Sequence, residues 1–462
     1  MRREGPATSS GSYSPPVPER DANAQPLSHD SEKTMRQKSL SAGTPGFSSQ
    51  VLKQIAQDLG TPTYVYSATL LKKNYRELVR GLKDVDHRIF FAMKANSNLS
   101  ILKLFLKLGA GMDIVSGGEL FRAQQAGALP RDVVFSGVGK TPEELADALQ
   151  FGKEGIYAFN VESEEELRLL NSIACRLGQI APVSFRFNPD VDAKTHPYIS
   201  TGLKFNKFGM HRAKVLELAR GIHKFPGIRV QGVSIHIGSQ LLSLAPLENA
   251  FQRVKDLIGE LDELLPEPLT HVDLGGGLGI CYSDEVAPSV ASYCGLIRQF
   301  FGPNRVNEKG RALKVMLEPG RLLAGNAGLL LSQVLYWKKS ERKHFLIIDA
   351  AMNDLIRPAL YHSIHAVVPI KRLSALANQT VRCDIVGPVC ETGDFIARNR
   401  MMSTRLKGGD ILAILSTGAY GFTMASNYNS RPRAAEVLVS GGQYSVIRNR
   451  ESLADLIRNE LI

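Results

Sequence analysis

The chain has 462 residues, of which 44% are hydrophobic and 22% are charged, and its formal net charge is +11. This length predicts more than one domain, and the composition is typical of an ordinary globular protein. The sequence has no run of about 20 apolar residues, which predicts no association with a membrane. Basic residues are spread along the chain instead of forming one arm, so the positive charge gives nucleic-acid binding little support.

The five cysteines include no CxxC pair, which argues against a disulfide framework or a metal site and favours a reducing, cytoplasmic compartment. Residues 1–48 are predicted to be a disordered extension, because Ser, Pro, Gly and charged residues leave too few apolar side chains for a core. This extension lacks the apolar segment of a secretory signal, and Met35 is an alternative start.

Eight short apolar segments between residues 84 and 321 are predicted to be strands, the fourth of them at Ile156–Phe159. Helical patterns separate these strands, and two of the helices begin with capping-box patterns, Thr141 with Glu144 and Ser163 with Glu166. Strands that alternate with helices predict a parallel sheet. Eight such units predict an α/β fold of the (β/α)8 TIM-barrel type.

The pattern changes after Arg321, where short β-like segments separated by Gly, Pro and Asn replace the alternation with helices. These segments are Leu329–Trp337, Phe345–Ile348, Thr380–Val386, Ile411–Ile414 and Glu436–Val439. We therefore predict a mostly β C-terminal domain that comprises residues 322–462. The segment 49–83, with a strand near Tyr64–Tyr66, is predicted to join this β domain.

Lys94 follows the first barrel strand directly. Burial at a strand end disfavours the charged ammonium, which predicts a lowered pKa and a nucleophilic amine. Such an amine can form an imine with a carbonyl cofactor. Barrel enzymes place their chemistry at the carboxyl ends of the strands. In this sequence those ends carry Lys94, Asp113, Ser136, Gly137, Asn160, Arg186, Asn188, His236, Gly275, Gly276, Gly277 and Glu318.

These strand ends carry the groups that a pyridoxal phosphate site needs. The turn Gly275–Gly279 offers backbone N–H groups to a phosphate without side chains in the way. Glu318 is placed to keep the pyridine nitrogen protonated, so that the ring accepts electrons. His236 offers a flat partner for the ring, and Lys94 offers the amine.

The chain resembles the fold-type III pyridoxal-phosphate-dependent decarboxylases, and within them the diaminopimelate decarboxylase group, from about Gln50 to Leu461. The segments that carry this resemblance are Phe91–Asn96, Asp113–Glu119, His236–Gln240, Gly275–Gly277, Glu318–Arg321, Met352–Tyr361, Gly387–Glu391 and Gly418–Tyr420. The resemblance implies a barrel followed by a β domain, in agreement with the strand count.

The resemblance also implies roles for individual residues. Lys94 would form the imine, Glu318 would bind the pyridine nitrogen, and His236 would stack on the ring. The other predicted cofactor contacts are Asp113, Ser239, Gly276, Gly277, Gly320, Arg321 and Tyr420. The predicted substrate contacts are Arg321, Arg357, Tyr361, Glu391 and Tyr420. Cys390 would be the proton donor, and in this family Cys390 and Glu391 usually reach the site from a second subunit, which implies a homodimer.

The substrate prediction has a physical argument as well. Diaminopimelate carries a second carboxylate, and Arg321 and Arg357 offer planar groups that bind a carboxylate through two hydrogen bonds. Glu391 would pair with the distal ammonium. The resemblance implies that meso-2,6-diaminopimelate loses carbon dioxide at its D centre and gives L-lysine.

Three alternatives remain at this point. The first is a decarboxylase of ornithine, arginine or a carboxylated polyamine on the same fold, for which a distal carboxylate would not matter. The second is a non-catalytic relative that binds pyridoxal phosphate. The third is an amino-acid racemase, against which the segments that contain Arg357 and Cys390 argue.

Overall fold

The computed structural model describes residues 46–152, 155–192, 206–302, 313–341, 343–371 and 379–461. The predicted extension 1–48 lies almost entirely outside these ranges. The strands are β1 (Thr63–Ser67), β2 (His87–Ala92), β3 (Gly111–Ile114), β4 (Val133–Phe135), β5 (Ala158–Val161), β6 (Ala181–Arg186), β7 (Ile228–Ser234), β8 (His271–Asp273), β9 (Lys314–Leu317), β10 (Gly328–Lys339), β11 (His344–Ile348), β12 (Val367–Pro369), β13 (Thr380–Val386), β14 (Phe395–Ser403), β15 (Ile411–Leu415), β16 (Ala435–Ser440) and β17 (Gln443–Arg448).

The α-helices in the same ranges are α1 (Ser49–Leu59), α2 (Ala68–Gly81), α3 (Leu99–Lys107), α4 (Gly117–Ala126), α5 (Pro142–Gln150), α6 (Glu164–Leu177), α7 (Arg212–Arg220), α8 (Ala245–Leu264), α9 (Val290–Phe301), α10 (Arg321–Ala324), α11 (Arg357–Tyr361) and α12 (Leu453–Ile457). In this described part of the chain, none of the helices has the length and apolar character needed to cross a bilayer.

Strands β2 to β9 form a closed parallel barrel in sequence order, and β9 pairs with β2 to complete it. Helices α3 to α9 connect successive strands. Phe90, Val134 and Met316 form a small buried cluster of their own, contributed by β2, β4 and β9. Alternate strand residues of this kind fill a barrel interior. The predicted (β/α)8 barrel is confirmed.

The second sheet is mixed and has the order β14-β13-β11-β10-β1-β16-β17, with β15 also paired to β10 and β12. Strand β1 lies inside this sheet, antiparallel to β10 and parallel to β16. Thr63 is therefore aligned with Leu331 on one side and with Ala435 on the other. The predicted mostly β region after the barrel is confirmed, whereas the exact domain limits stay a prediction.

Two local predictions differ from the structure. The fourth barrel strand is Ala158–Val161 and not Ile156–Phe159, because the four residues that pair and are all buried begin at Ala158. Thr141 and Glu144 form the predicted capping box. Ser163 caps α6 through the N–H of Glu166, but the Glu166 carboxylate accepts from Glu162 N and Lys140 Nζ instead of closing the box.

Candidate active site

Lys94 lies in a short 3-10 helix, Met93–Ala95, directly after β2. Its Nζ lies 3.3 Å from Asp113 Oδ2 at the end of β3. Burial disfavours the ammonium, but attraction to Asp113 and to other neighbouring groups outweighs it, and the pKa of Lys94 is raised above its ordinary value. The sequence prediction of a lowered pKa is therefore wrong in this chain, because it considered desolvation without the paired carboxylate.

Glu318 follows β9 and is buried among hydrogen-bond donors. Its Oε1 accepts from Asn160 Nδ2 at 3.0 Å and from Ser136 Oγ at 3.2 Å. Burial, followed by the nearby carboxyl groups of Asp113 and Asp273, raises the pKa of Glu318 well above its ordinary value. A carboxyl group that retains a proton can share it with a ring nitrogen, which is the interaction that a pyridinium needs.

The turn after β8 is free of side chains by necessity. A Cβ at Gly276 would lie 2.3 Å from Glu318 O, and a Cβ at Gly277 would lie 2.3 Å from Gly238 O. Gly277 also has a φ of +104°, which L side chains rarely adopt. A turn without side chains lets a phosphate approach the backbone closely.

His236 presents a neutral ring at this turn. Its Nδ1 accepts from Gly276 N at 3.2 Å, which leaves the ring proton on Nε2. Burial, and then the positive charges of Lys94 and Arg186, lower the pKa of His236 well below its ordinary value. A neutral, flat imidazole is suited to stack against another aromatic ring.

Arg321 begins α10 and is buried. Its Nη2 and Nε lie 2.9 and 3.3 Å from Ser239 Oγ, and its Nη1 donates to Tyr282 Oη. The guanidinium carbon lies 4.8 Å from the centre of the Tyr420 ring. The predicted residues that line one cavity in this region are Lys94, His236, Ser239, Gly276, Gly277, Glu318, Gly320, Arg321 and Tyr420.

Arg357 begins α11 and is only 4% exposed. Its Nη1 lies 3.1 Å from His365 Nε2, its Nη2 lies 3.2 Å from Ser363 Oγ, and its Nε is buried without a partner in the described residues. None of the carboxylates that the structure describes forms an ion pair with Arg357 or Arg321. A buried cation without a counter-charge is costly, so this pair of arginines is suited to receive an anion.

The structure does not bring Cys390 and Glu391 to the cavity of Lys94. Both are exposed. Cys390 N donates to Asn429 Oδ1 at 2.7 Å, and Glu391 Oε2 accepts from Tyr428 Oη at 3.5 Å. Tyr361 ends α11, is half-buried, and does not line the cavity either. The prediction that Cys390 and Glu391 act in the site of a second subunit stays a prediction.

Sequence reasoning missed several residues of the site. Asp273 Oδ2 lies 3.3 Å from Asn160 Nδ2, and this amide also donates to Glu318. Tyr282 accepts from Arg321, and His365 contacts Arg357. Asn160 is among the strand-end residues predicted from the sequence, and Asp273 ends β8, so the same strand-end rule could have found it. Tyr282 and His365 lie in loops, and no spacing marks them.

Two features of the cavity fit pyridoxal phosphate. The glycine turn presents backbone without side chains at the cavity, and Asp113 Oδ1 is buried with no hydrogen-bond partner among the described residues. Lys94 and Glu318 supply the amine and the acid that the aldehyde and the pyridine nitrogen require. The described residues contain no group of three or more His, Cys, Asp or Glu arranged to hold a metal ion.

Comparisons with known proteins agree with this geometry. The family model described as "Pyridoxal-dependent decarboxylase, pyridoxal binding domain" matches residues 69–325. Diaminopimelate decarboxylase of Pseudomonas fluorescens is 48% identical over 88% of this chain and 95% of its own, and that of Vibrio cholerae is 48% identical over 88% and 94%.

A solved structure gives the same result. The crystal structure of diaminopimelate decarboxylase from Helicobacter pylori complexed with L-lysine has a TM-score of 0.82 and 41% identity, and covers 88% of this chain and 99% of that one. The resemblance predicted from the motifs is confirmed. The chain belongs to the pyridoxal-dependent decarboxylases and, within them, to the diaminopimelate decarboxylase family.

Proposed function

We propose that this chain decarboxylates meso-2,6-diaminopimelate to L-lysine and carbon dioxide, with pyridoxal phosphate as its cofactor. The observation that carries the substrate assignment is the pair of buried arginines, Arg321 and Arg357, without a carboxylate partner in the described residues. A substrate with only a distal ammonium would leave these two charges uncompensated. A second carboxylate would neutralise them through paired hydrogen bonds.

The residues of the cavity divide the work of holding the cofactor. Lys94 offers the amine, the glycine turn at Gly276 and Gly277 lets the phosphate approach the backbone, and Glu318 offers a proton to the pyridine nitrogen. Asp113 holds the Lys94 side chain in place. When bound, pyridoxal phosphate supplies the electron sink for the bond that breaks.

The substrate residues orient the reacting centre. Arg321 and Arg357 hold the distal carboxylate, so that the other α carbon is directed towards Lys94. Tyr361 adds a hydroxyl donor. We assign Cys390 of the partner subunit as the proton donor to the α carbon and Glu391 of the partner subunit as the contact of the distal ammonium. This arrangement requires at least a homodimer, and we retain the prediction that the enzyme is cytoplasmic.

The test is the release of carbon dioxide from the purified protein with added pyridoxal phosphate. Meso-diaminopimelate, L-ornithine, L-lysine and L-arginine are supplied in parallel, and the amine products are identified. We expect release from diaminopimelate alone, with lysine as the product. Release mainly from ornithine or arginine would overturn the role of the arginine pair, and no release from any substrate by the cofactor-loaded protein would overturn the enzymatic function itself.

A further inference from the structure

His365 connects Arg357 to the β domain in one defined tautomer. The ring is fully buried, and its Nδ1 lies 2.8 Å from Leu415 O. A carbonyl oxygen only accepts, so Nδ1 carries the proton and Nε2 is left as an acceptor. That acceptor faces Arg357 Nη1 at 3.1 Å. The ring therefore fixes one edge of the guanidinium.

His365 does this without neutralising the arginine. Burial, followed by the charge of Arg357, lowers the pKa of His365 to about 3. The ring is thus uncharged at neutral pH, and Ser363, which accepts from Arg357 Nη2, is uncharged as well. A carboxylate at the same position would orient the guanidinium equally well, but it would also neutralise the positive charge of Arg357.

Tyr282 occupies the space between the two arginines. The guanidinium carbons of Arg357 and Arg321 lie 4.7 and 5.7 Å from the centre of its ring. Its hydroxyl accepts from Arg321, and the ring of His365 meets it edge-on with centroids 5.0 Å apart. One aromatic ring thus contacts both cations, which lowers the cost of keeping two like charges close together.

We infer that His365 and Tyr282 are positioning residues, which hold Arg357 and Arg321 oriented but not neutralised and so make the site specific for a substrate with a second carboxylate. This inference rests on the proposed function and extends it to two residues that contact the arginines. Arg357 Nε, which has no partner in the described residues, remains available to that carboxylate.

The test compares three substitutions of His365. His365→Phe removes the acceptor, His365→Gln supplies an uncharged acceptor, and His365→Glu supplies a charged one. We expect His365→Phe to raise KM for diaminopimelate by about tenfold or more, which is the effect of one lost hydrogen bond to a charged group, with kcat changed less than about threefold. We expect His365→Gln to restore much of the affinity.

His365→Glu separates orientation from charge. If His365 served only as a hydrogen-bond acceptor, this variant would behave like His365→Gln. We expect it instead to raise KM at least as much as His365→Phe, because the new carboxylate competes with the substrate for Arg357. His223→Phe is the matched control, since His223 is exposed and lies before β7, and we expect it to match the wild type.

A binding measurement makes the result independent of turnover. Pimelate, the seven-carbon dicarboxylate without amino groups, is titrated into each cofactor-loaded variant by calorimetry. We expect its affinity to fall about tenfold in His365→Phe and His365→Glu. Unchanged KM and unchanged pimelate affinity in these variants would overturn the inference and leave the proposed function intact.

The remaining outcomes are also decisive. If the wild type does not turn over diaminopimelate, the proposed function fails, and the pimelate affinities alone decide the inference. If the wild-type protein does not bind pimelate, the inference about His365 and Tyr282 is overturned. If the His365 variants do not fold, Tyr282→Phe is measured instead. This variant keeps the ring but removes the acceptor for Arg321, and an unchanged KM and pimelate affinity would again overturn the inference.

Discussion

Three buried carboxyl groups lie at the ends of barrel strands β3, β8 and β9, those of Asp113, Asp273 and Glu318. Asp113 faces the ammonium of Lys94, whereas Asp273 and Glu318 share the amide of Asn160. The two carboxyl groups that share a neutral donor have raised pKa values, mainly through burial. The layer of side chains at these strand ends therefore contains a carboxylate that pairs with Lys94, that of Asp113, and a carboxyl group that can give a proton to a pyridine nitrogen, that of Glu318.

Asp354 is a buried acid outside this layer, and it gives a prediction about stability. Burial raises its pKa from 3.8 to about 7. Between these two values the folded chain binds more protons than the unfolded chain, so stability falls as pH rises from about 4 to 7. We expect the melting temperature of Asp354→Asn to exceed that of the wild type by at least about 3 °C at pH 8, and by less at pH 5.

Thermal unfolding followed at both pH values measures this difference. The control is Asp147→Asn, because Asp147 is exposed in the middle of α5. A gap between Asp354→Asn and the wild type that stays constant from pH 5 to pH 8 would contradict the assignment of the ionised Asp354 carboxylate as the source of the penalty.

Sequence reasoning found polar residues at the ends of most barrel strands, missed Asp273 at the end of β8, and missed Tyr282 and His365 in loops. Lys94 and Glu318 each follow a short apolar strand, so their position is fixed once the barrel is recognised. Tyr282 and His365 reach Arg357 through loops whose course depends on the packing of the β domain against the barrel. The sign of the Lys94 pKa shift was also missed, because it depends on a partner from another strand.

At the scale of elements, the barrel strands were predictable because they are buried almost throughout and read as continuous apolar runs. Strand β14 was missed because the exposed Arg398 and Asn399 interrupt its apolar pattern. Asn399 has a φ of +54°, and its N–H donates to Asp384 Oδ1 near a register shift between β13 and β14. Strand β17, at the edge of the sheet, carries too few buried residues to be recognised.

The glycine turn after β8 gives a prediction at this scale. We expect Gly276→Ala to weaken the binding of pyridoxal phosphate by about tenfold or more, because its Cβ would meet the backbone oxygen of Glu318 at 2.3 Å. Gly139→Ala is the matched control, since a Cβ there has no neighbour within 4 Å and the residue has no positive φ. Absorbance titration of the cofactor measures both affinities. Equal affinities in the two variants would show that cofactor binding tolerates a Cβ at Gly276, which would contradict the prediction.

At the scale of the whole molecule, the exposed positions of Cys390 and Glu391 lead to a test of the predicted dimer. Lys94→Ala and Cys390→Ala should each be inactive. If each site combines Lys94 of one subunit with Cys390 of the partner subunit, mixed dimers contain one intact site. Equal mixing with free exchange of subunits should then restore about a quarter of the wild-type activity.

Turnover after partial unfolding and refolding of the mixture measures this recovery. Lys94→Ala mixed with Glu318→Gln is the control, because both residues line the same cavity of one chain. In a mixed dimer of these two variants, one site lacks Lys94 and the other site lacks Glu318. Neither site is intact, so activity should not recover. Equal recovery in the two mixtures, or none in the first, would argue against a shared site.

The position of β1 has a consequence for the order in which the protein is made. Thr63–Ser67 leaves the ribosome before any barrel strand, yet its sheet neighbours are Gly328–Lys339 and Ala435–Ser440. At roughly 5–20 residues per second, the last of these follows on the order of half a minute later. The barrel can close during this interval, whereas β1 has no complete set of sheet partners until β16 has been synthesised. For most of its synthesis, the nascent chain therefore exposes a strand whose five residues are all buried in the folded protein, and an unpaired strand of this kind is prone to pair with other chains.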